Sequence, residues 1–402
     1  MKAGSPWQLS WAITKVAAIV CLIPFICRGA DSSTKSDTKQ SIWEYGTRAN
    51  VTSSAALSPD GWIYFGSWDK KVYALNLKDE LKKDKKVWDF TSNERIHATP
   101  AIGPDGTVFI GSNDASFYAL NGKLGVKRWV YKTRNWVAGS AAIGLDGTVY
   151  FGSDDGNFHA MDGKTGERKW IFQTAGWVES SPALTAGGLV IFGSNDGKLY
   201  AVDTAKGAQR WTYQTSGRVV SSPALDGQGT VIFGSADNKV YAVDEATGKE
   251  RWSFTTQESV QSSPVIDAEG IAYIGSDDSN LYAIDIKTGK PRWSFSAGSK
   301  IRSSGVIGAD GALYFGTYGA KLFALNSKTG AKLWEAGLGG AIFASPLLCP
   351  DGTLIIGSTD SKIYAFRTES KGVLDSPWPI WRQNVMRTGR APVPAAPVAI
   401  KP

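Results

Sequence analysis

One phrase returns eight times along this chain. Glycine stands at 66, 111, 152, 193, 234, 275, 316 and 357, each time after Phe or Ile and before Ser or Thr. Tryptophan keeps the same beat at 43, 88, 129, 170, 211, 252, 293 and 334. The first interval is 45 residues and every later one is 41. A period of this length, held over most of 402 residues, restricts the chain to an architecture in which one supersecondary unit is copied and stacked.

The unit from 219 to 254 contains four short apolar runs: Val219–Leu225, Thr230–Ser235, Lys239–Asp244 and Arg251–Phe254. Turn residues separate them, among them Asp226-Gly227, Asp237-Asn238 and Thr247-Gly248-Lys249. Short runs rich in Val, Ile, Tyr, Phe and Trp, bounded by such turns, read as antiparallel strands joined by hairpins. No stretch after residue 31 keeps a 3.6-residue apolar period. Repeated four-stranded sheets of this size are propeller blades, whose faces are both covered by neighbours. Inner strands starting at 51, 96, 137, 178, 219, 260, 301 and 342 predict an all-β, eight-bladed propeller. The eighth copy runs out after Tyr364-Ala365-Phe366, while Trp43-Glu44-Tyr45 matches Trp252-Ser253-Phe254 in register. The N-terminal segment 42–47 is therefore expected to supply the missing outer strand and close the ring.

A sharper pattern marks the link into each outer strand. It reads Ala160-Met161-Asp162, Thr165-Gly166, Trp170, and returns as Ala242, Asp244, Thr247, Gly248, Lys249, Trp252 and as Ala283, Asp285, Thr288, Gly289, Lys290, Trp293. This resembles the tryptophan-docking motif of the PQQ-like (quinoprotein-type) eight-bladed propellers. That family includes PQQ-dependent dehydrogenases and cofactor-free, BamB-like outer-membrane assembly proteins. The likeness covers about residues 42–366. It implies structural roles for Trp43, Trp88, Trp129, Trp170, Trp211, Trp252, Trp293 and Trp334, and it speaks to fold more than to function. A C-terminal run, Trp378-Pro379-Ile380-Trp381-Arg382 with Arg387-Thr388-Gly389-Arg390, resembles a segment found beside such propellers. Residues 371–391 are expected to pack on the ring, and the Pro/Ala-rich stretch 392–402 to be disordered.

The first 30 residues carry Lys2, Lys15 and Arg28, no acid, and an apolar run from Val16 to Ile26. That run is short for a bilayer span and reads as a secretory signal, followed by a polar linker over 31–41. An uncleaved anchor is the alternative. Ile26 before Cys27 departs from a lipobox, which has a small residue there. The product is expected to be exported, periplasmic or extracellular, and to meet a membrane only through an uncleaved leader or a partner. Its formal charge of +7 falls to +4 without the leader, too little to argue for nucleic acid. The basic loop Lys82–Lys86 reads as a solvated hairpin tip. Beyond the leader only Cys349 remains, so no intrachain disulfide is available there.

Candidate chemistry is sparse. His159 takes the place held by Tyr118, Tyr200 and Tyr241 in other copies, and His97 has no metal-ligand partner nearby in sequence. No serine lies in a Gly-x-Ser-x-Gly elbow. Acid pairs such as Asp154-Asp155 fall in hairpin turns and read as turn chemistry. The resemblance lets the quinoprotein reading be tested: those enzymes carry a cap of adjacent cysteines and long inserted loops, and this chain has neither. No catalytic residue, cofactor or metal ligand is therefore assigned.

The repeat is broken mainly at the mouth where the entry to each inner run meets the turn between the second and third runs of a unit. There the sequence collects Trp68, Arg95, His97, Trp136, Trp177, Glu179, Arg218, Lys300, Arg302 and Tyr318. Aromatic and arginine enrichment is the compositional mark of a binding surface. Free variation of loop residues is the plainer reading. Three functions follow: a non-catalytic scaffold for an envelope protein partner, BamB-like by resemblance; a quinoprotein oxidoreductase; and a sensor for a glycan or other ligand.

Overall fold

In the computed structural model, residues 38–78 and 85–391 are described. The signal reading for 1–30, most of the 31–41 linker, residues 82–84 of the basic loop and the tail 392–402 lie outside them. The described residues contain strands and no α-helix, and the strands form eight separate four-stranded antiparallel sheets. The protein is an eight-bladed β-propeller.

The fifth blade is typical, with strands A to D at Ala224–Leu225, Thr230–Ser235, Lys239–Asp244 and Glu250–Thr255. Its B strand is buried throughout and its D strand alternates between exposed and half-buried residues. This gradient explains the sequence pattern: the middle strands lose water on both faces, while the outer strand keeps one wet face. Ring closure follows the predicted route. Trp43–Gly46 runs antiparallel to Lys362–Arg367, with Trp43 opposite Ala365 and Glu44 opposite Tyr364, so the last blade has no open edge there.

The inner strands correct the sequence reading. Instead of starting at 219, strand A of the fifth blade is paired only over Ala224–Leu225, and each other blade is equally short. The Val-x-Ser-Ser-Pro run before it spends its hydrogen bonds between blades. Thr99 N–H donates to Ser140 Oγ at 2.9 Å, Ser140 to Ser181 at 3.0 Å, and Ser181 to Ser222 at 3.0 Å. The series continues through Ser263, Ser304 and Ser345, passes to Ser54 at 2.8 Å, and returns from Ser54 to Thr99 at 2.9 Å. Eight side-chain hydroxyls thus make one closed ring around the axis, in place of eight longer strands.

The repeated glycines and tryptophans act between blades too. A Cβ on Gly234 would lie 2.4 Å from Val260 of the next blade, and one on Gly357 would lie 2.6 Å from Val51 across the closure. The indole N–H of Trp252 donates to the Ile286 carbonyl. Its ring lies against Gly289, which has φ +69° and no room for a Cβ.

The C-terminal segment crosses one end of the channel. Val385, Met386, Thr388 and Gly389 carbonyls accept from Leu57, Ile102, Ile143 and Leu184, and Trp378 and Pro379 carbonyls accept from Ile266 and Ile307. These donors are the second residues of six inner strands. The segment therefore floors the channel at the A–B end, away from the mouth, and buries Trp378 and Ile380 beneath the ring.

Candidate functional site: the open mouth

Backbone bonds build the mouth. In each blade the residue before the inner run accepts from a B–C turn N–H: Asn50 from Trp68 (2.9 Å), Trp136 from Asp154 (2.8 Å), Lys300 from Tyr318 (2.9 Å). The second residue of each inner run and this turn residue then face one opening. Conserved backbone geometry carries variable side chains, as expected of a scaffold that presents a surface.

Around blades 1 and 2 the aromatic residues form a hydrogen-bonded stack. Trp68 Nε1–H donates to Thr52 Oγ1 at 2.8 Å, and that hydroxyl lies 3.2 Å from His97 Nδ1. The Trp68 and His97 rings meet edge to face at 4.8 Å, with the Arg95 guanidinium 5.0 Å above Trp68. Burial, then the Arg95 charge, push His97 down to about 4. A neutral ring completes this chain, taking the Thr52 proton at Nδ1 or donating to that hydroxyl according to its tautomer.

Around blades 6 to 8 the basic residues are already paired. Arg302 grips Asp277 through Nε and Nη2 at 2.9 and 2.8 Å. Lys300 reaches Glu258 at 3.2 Å and Asp277 at 3.7 Å. Arg302 also covers Tyr318 at 5.4 Å, and Tyr318 packs edge-on against Phe343 at 4.5 Å.

Blades 2 to 4 hold a polar group that the sequence reading passed over. Asn113 and Asp154 are 5% and 4% exposed. Both amide atoms of Asn113, Oδ1 of Asp154 and Oδ1 of Asn195 have no hydrogen-bond partner among the described residues. Asn195 Nδ2 donates to Glu179 Oε2 at 2.9 Å. Burial, then the charges of Glu179 and Asp155, raise Asp154 to about 7. Turn chemistry accounts for Asp155, whose carboxylate accepts from Asn157 and Arg134 N–H, each at 3.0 Å. It does not account for Asp154. The available signal was positional: Asn113, Asp154 and Asn195 occupy the turn position of Trp68 and Tyr318. Buried polar atoms left unpaired cost free energy, so a site that keeps several is suited to a hydrogen-bonding ligand.

The other predicted residues lie on the rim. Trp136 and Trp177 are 46% and 49% exposed on successive blades, and Arg218 is exposed. Arg95 stacks on Trp68, so its guanidinium is engaged within the mouth, whereas Arg218 is exposed on the next blade after Trp177. His159 stands 3.9 Å from Asp155 where Tyr118 donates to Asp114 at 2.6 Å. Cys349 is buried, which pushes its thiol up. Among the described residues, no three His, Cys, Asp or Glu side chains stand together as a metal-ligand set.

The family model described as outer membrane protein assembly factor BamB matches residues 69–222 and 215–371. The chain belongs to the BamB family. BamB from Moraxella catarrhalis superposes with a TM-score of 0.67 at 18% identity, covering 82% of this chain and all of that one. A europium-containing methanol dehydrogenase gives 0.69 at 15% identity, covering 82% of this chain and 93% of that chain. The computationally designed Ika8 protein gives 0.70 at 16%, covering 80% and 98%. Identities this low carry the fold alone; membership rests on the family match. No curated protein matches the chain.

Proposed function

We propose that this BamB-family propeller is an exported, non-catalytic scaffold that holds a protein partner of the cell envelope at its mouth, in the manner of an outer-membrane assembly factor. The observation that carries this reading is the unpaired polar set of Asn113, Asp154 and Asn195 beside the exposed rings of Trp136 and Trp177. Rigid aromatics supply contact area at small entropic cost, and buried unpaired acceptors reward a partner that brings N–H groups. The leader sequence supports export. The low identity to a methanol dehydrogenase gives no residue-level support for oxidation chemistry, and a glycan is the other ligand class an exposed ring pair would accept.

The test is capture from the native envelope with the wild type and the Trp136→Ala/Trp177→Ala variant. Loss of an aromatic hot spot costs ~2 kcal/mol or more of binding, roughly thirtyfold in affinity. The variant is expected to melt like the wild type and to lose its partner. Recovery of every wild-type partner by the double variant would remove the mouth as the binding site.

A further inference from the structure

The channel floor carries a second feature, independent of the mouth. The side chains of Arg382 and Arg387 are 1% and 0% exposed. Arg387 donates from Nε to the Ala55 carbonyl and from Nη2 to the Pro346 carbonyl, each at 3.0 Å, and from Nη1 to Trp381 at 2.6 Å. Arg382 donates from Nε to the Arg387 carbonyl at 3.0 Å and from Nη1 to the Ser140 carbonyl at 3.1 Å. Its Nη2 has no partner among the described residues.

Every acceptor here is a neutral carbonyl. No ion pair among the described residues joins either guanidinium to a carboxylate. Two like charges are thus buried side by side without a counter-charge, an arrangement that is strongly unfavourable unless compensated. Burial pushes both groups down to about 9, with the Arg387 charge adding to the effect on Arg382. Five carbonyl dipoles and the Trp381 ring, 6.0 and 5.6 Å from the Arg382 and Arg387 guanidiniums, offset part of that cost; an arginine keeps its proton in a protein, so a negative charge is what would offset the rest.

The hydroxyl ring supplies further donors next to them. Ala55, Ser140 and Pro346, whose carbonyls hold the guanidiniums, are members of that ring or adjoin Ser54 and Ser345 in it. Each ring hydroxyl accepts a backbone N–H, and none passes its own proton to an acceptor among the described residues. Spare O–H donors therefore lie in the same residues as, or next to, the carbonyls that hold the guanidiniums, one of which keeps an unpartnered N–H.

We propose that the axial channel binds a small inorganic anion of about the size of chloride, between Arg382 Nη2 and the hydroxyl ring, as counter-ion to the two buried guanidiniums. The anion is then part of the seal between the C-terminal floor and the blades.

Bromide is the probe. Full-length protein in gluconate buffer, whose anion is a bulky organic carboxylate, is titrated with bromide at constant ionic strength while melting is followed, and crystals soaked in bromide are measured at its absorption edge. The expected result is a saturable rise in melting temperature that gluconate does not give, with an anomalous peak at hydrogen-bonding distance from Arg382. Arg382→Met is expected to lose both, and Arg390→Met to keep both. If Arg382→Met fails to fold, the wild-type anomalous map decides. Ordered water without anomalous signal at that position, or equal melting in the two anions, would overturn the proposal.

Discussion

Asp154, buried, and His97, half-buried, share one mouth and are shifted in opposite directions. Asp154 titrates at about 7 in the folded chain, above its ordinary range, so the folded state holds a proton that the unfolded state has released. Its contribution is present below the unfolded value near 4 and is lost as pH rises towards 7. His97, at about 4, does the reverse: the unfolded state binds its proton first, so stability rises with pH between about 4 and the unfolded value near 6.5. Asp154→Asn, which keeps the shape without the charge, is therefore expected to raise the melting temperature at pH 8 and to change it little at pH 4. Equal shifts at both pH values would show that Asp154 is not held protonated. Neither behaviour was legible in the sequence. Asp154 looked like a turn residue beside Asp155, because burial between neighbouring blades has no local signature.

At the scale of the strand and its link, the repeat was read more fully. The Gly and Trp beats are contacts between blades, and contacts that recur with the repeat leave a period in the sequence. The inner strands were overestimated for the same reason. A Val-x-Ser-Ser-Pro run has the composition of a strand, but its serines bond to the next blade, and proline withholds a ladder donor. Two predictions belong here. Trp252→Ala removes a ring that fills the space against Gly289 and bonds Ile286, and is expected to cost ~3–5 kcal/mol in denaturant unfolding. Deletion of residues 38–46 takes away the strand opposite Lys362–Arg367 and exposes that edge. Its melting temperature is expected to drop sharply and its tendency to self-associate to rise; a deletion variant as stable as the full chain would mean that the ring closes without this strand.

For the whole molecule, one fold is shared by assembly factors and dehydrogenases, so function has to be argued from what fills the ring. The mouth in this chain carries salt-bridged basic residues on one side, an aromatic stack on another and unpaired amides and a carboxyl between them. The sequence exposed the aromatic and basic members, since these depart visibly from the repeat. It concealed the Asn113, Asp154 and Asn195 set, since small polar residues are ordinary in turns. The quinone reading can be separated from the scaffold reading by titration with PQQ and Ca²⁺. A ligand bound by the folded chain alone, at 100 times its dissociation constant, adds ~2.7 kcal/mol, well within reach of a melting experiment. The chain has no adjacent cysteines to cap a planar cofactor and no long insertions to cover one. Titration is therefore expected to leave both the melting temperature and the PQQ absorption spectrum unchanged. The control is Asp154→Ala/Glu179→Ala. A shift in the wild type that this variant abolishes would put the cofactor in the mouth and replace the scaffold reading with a redox one.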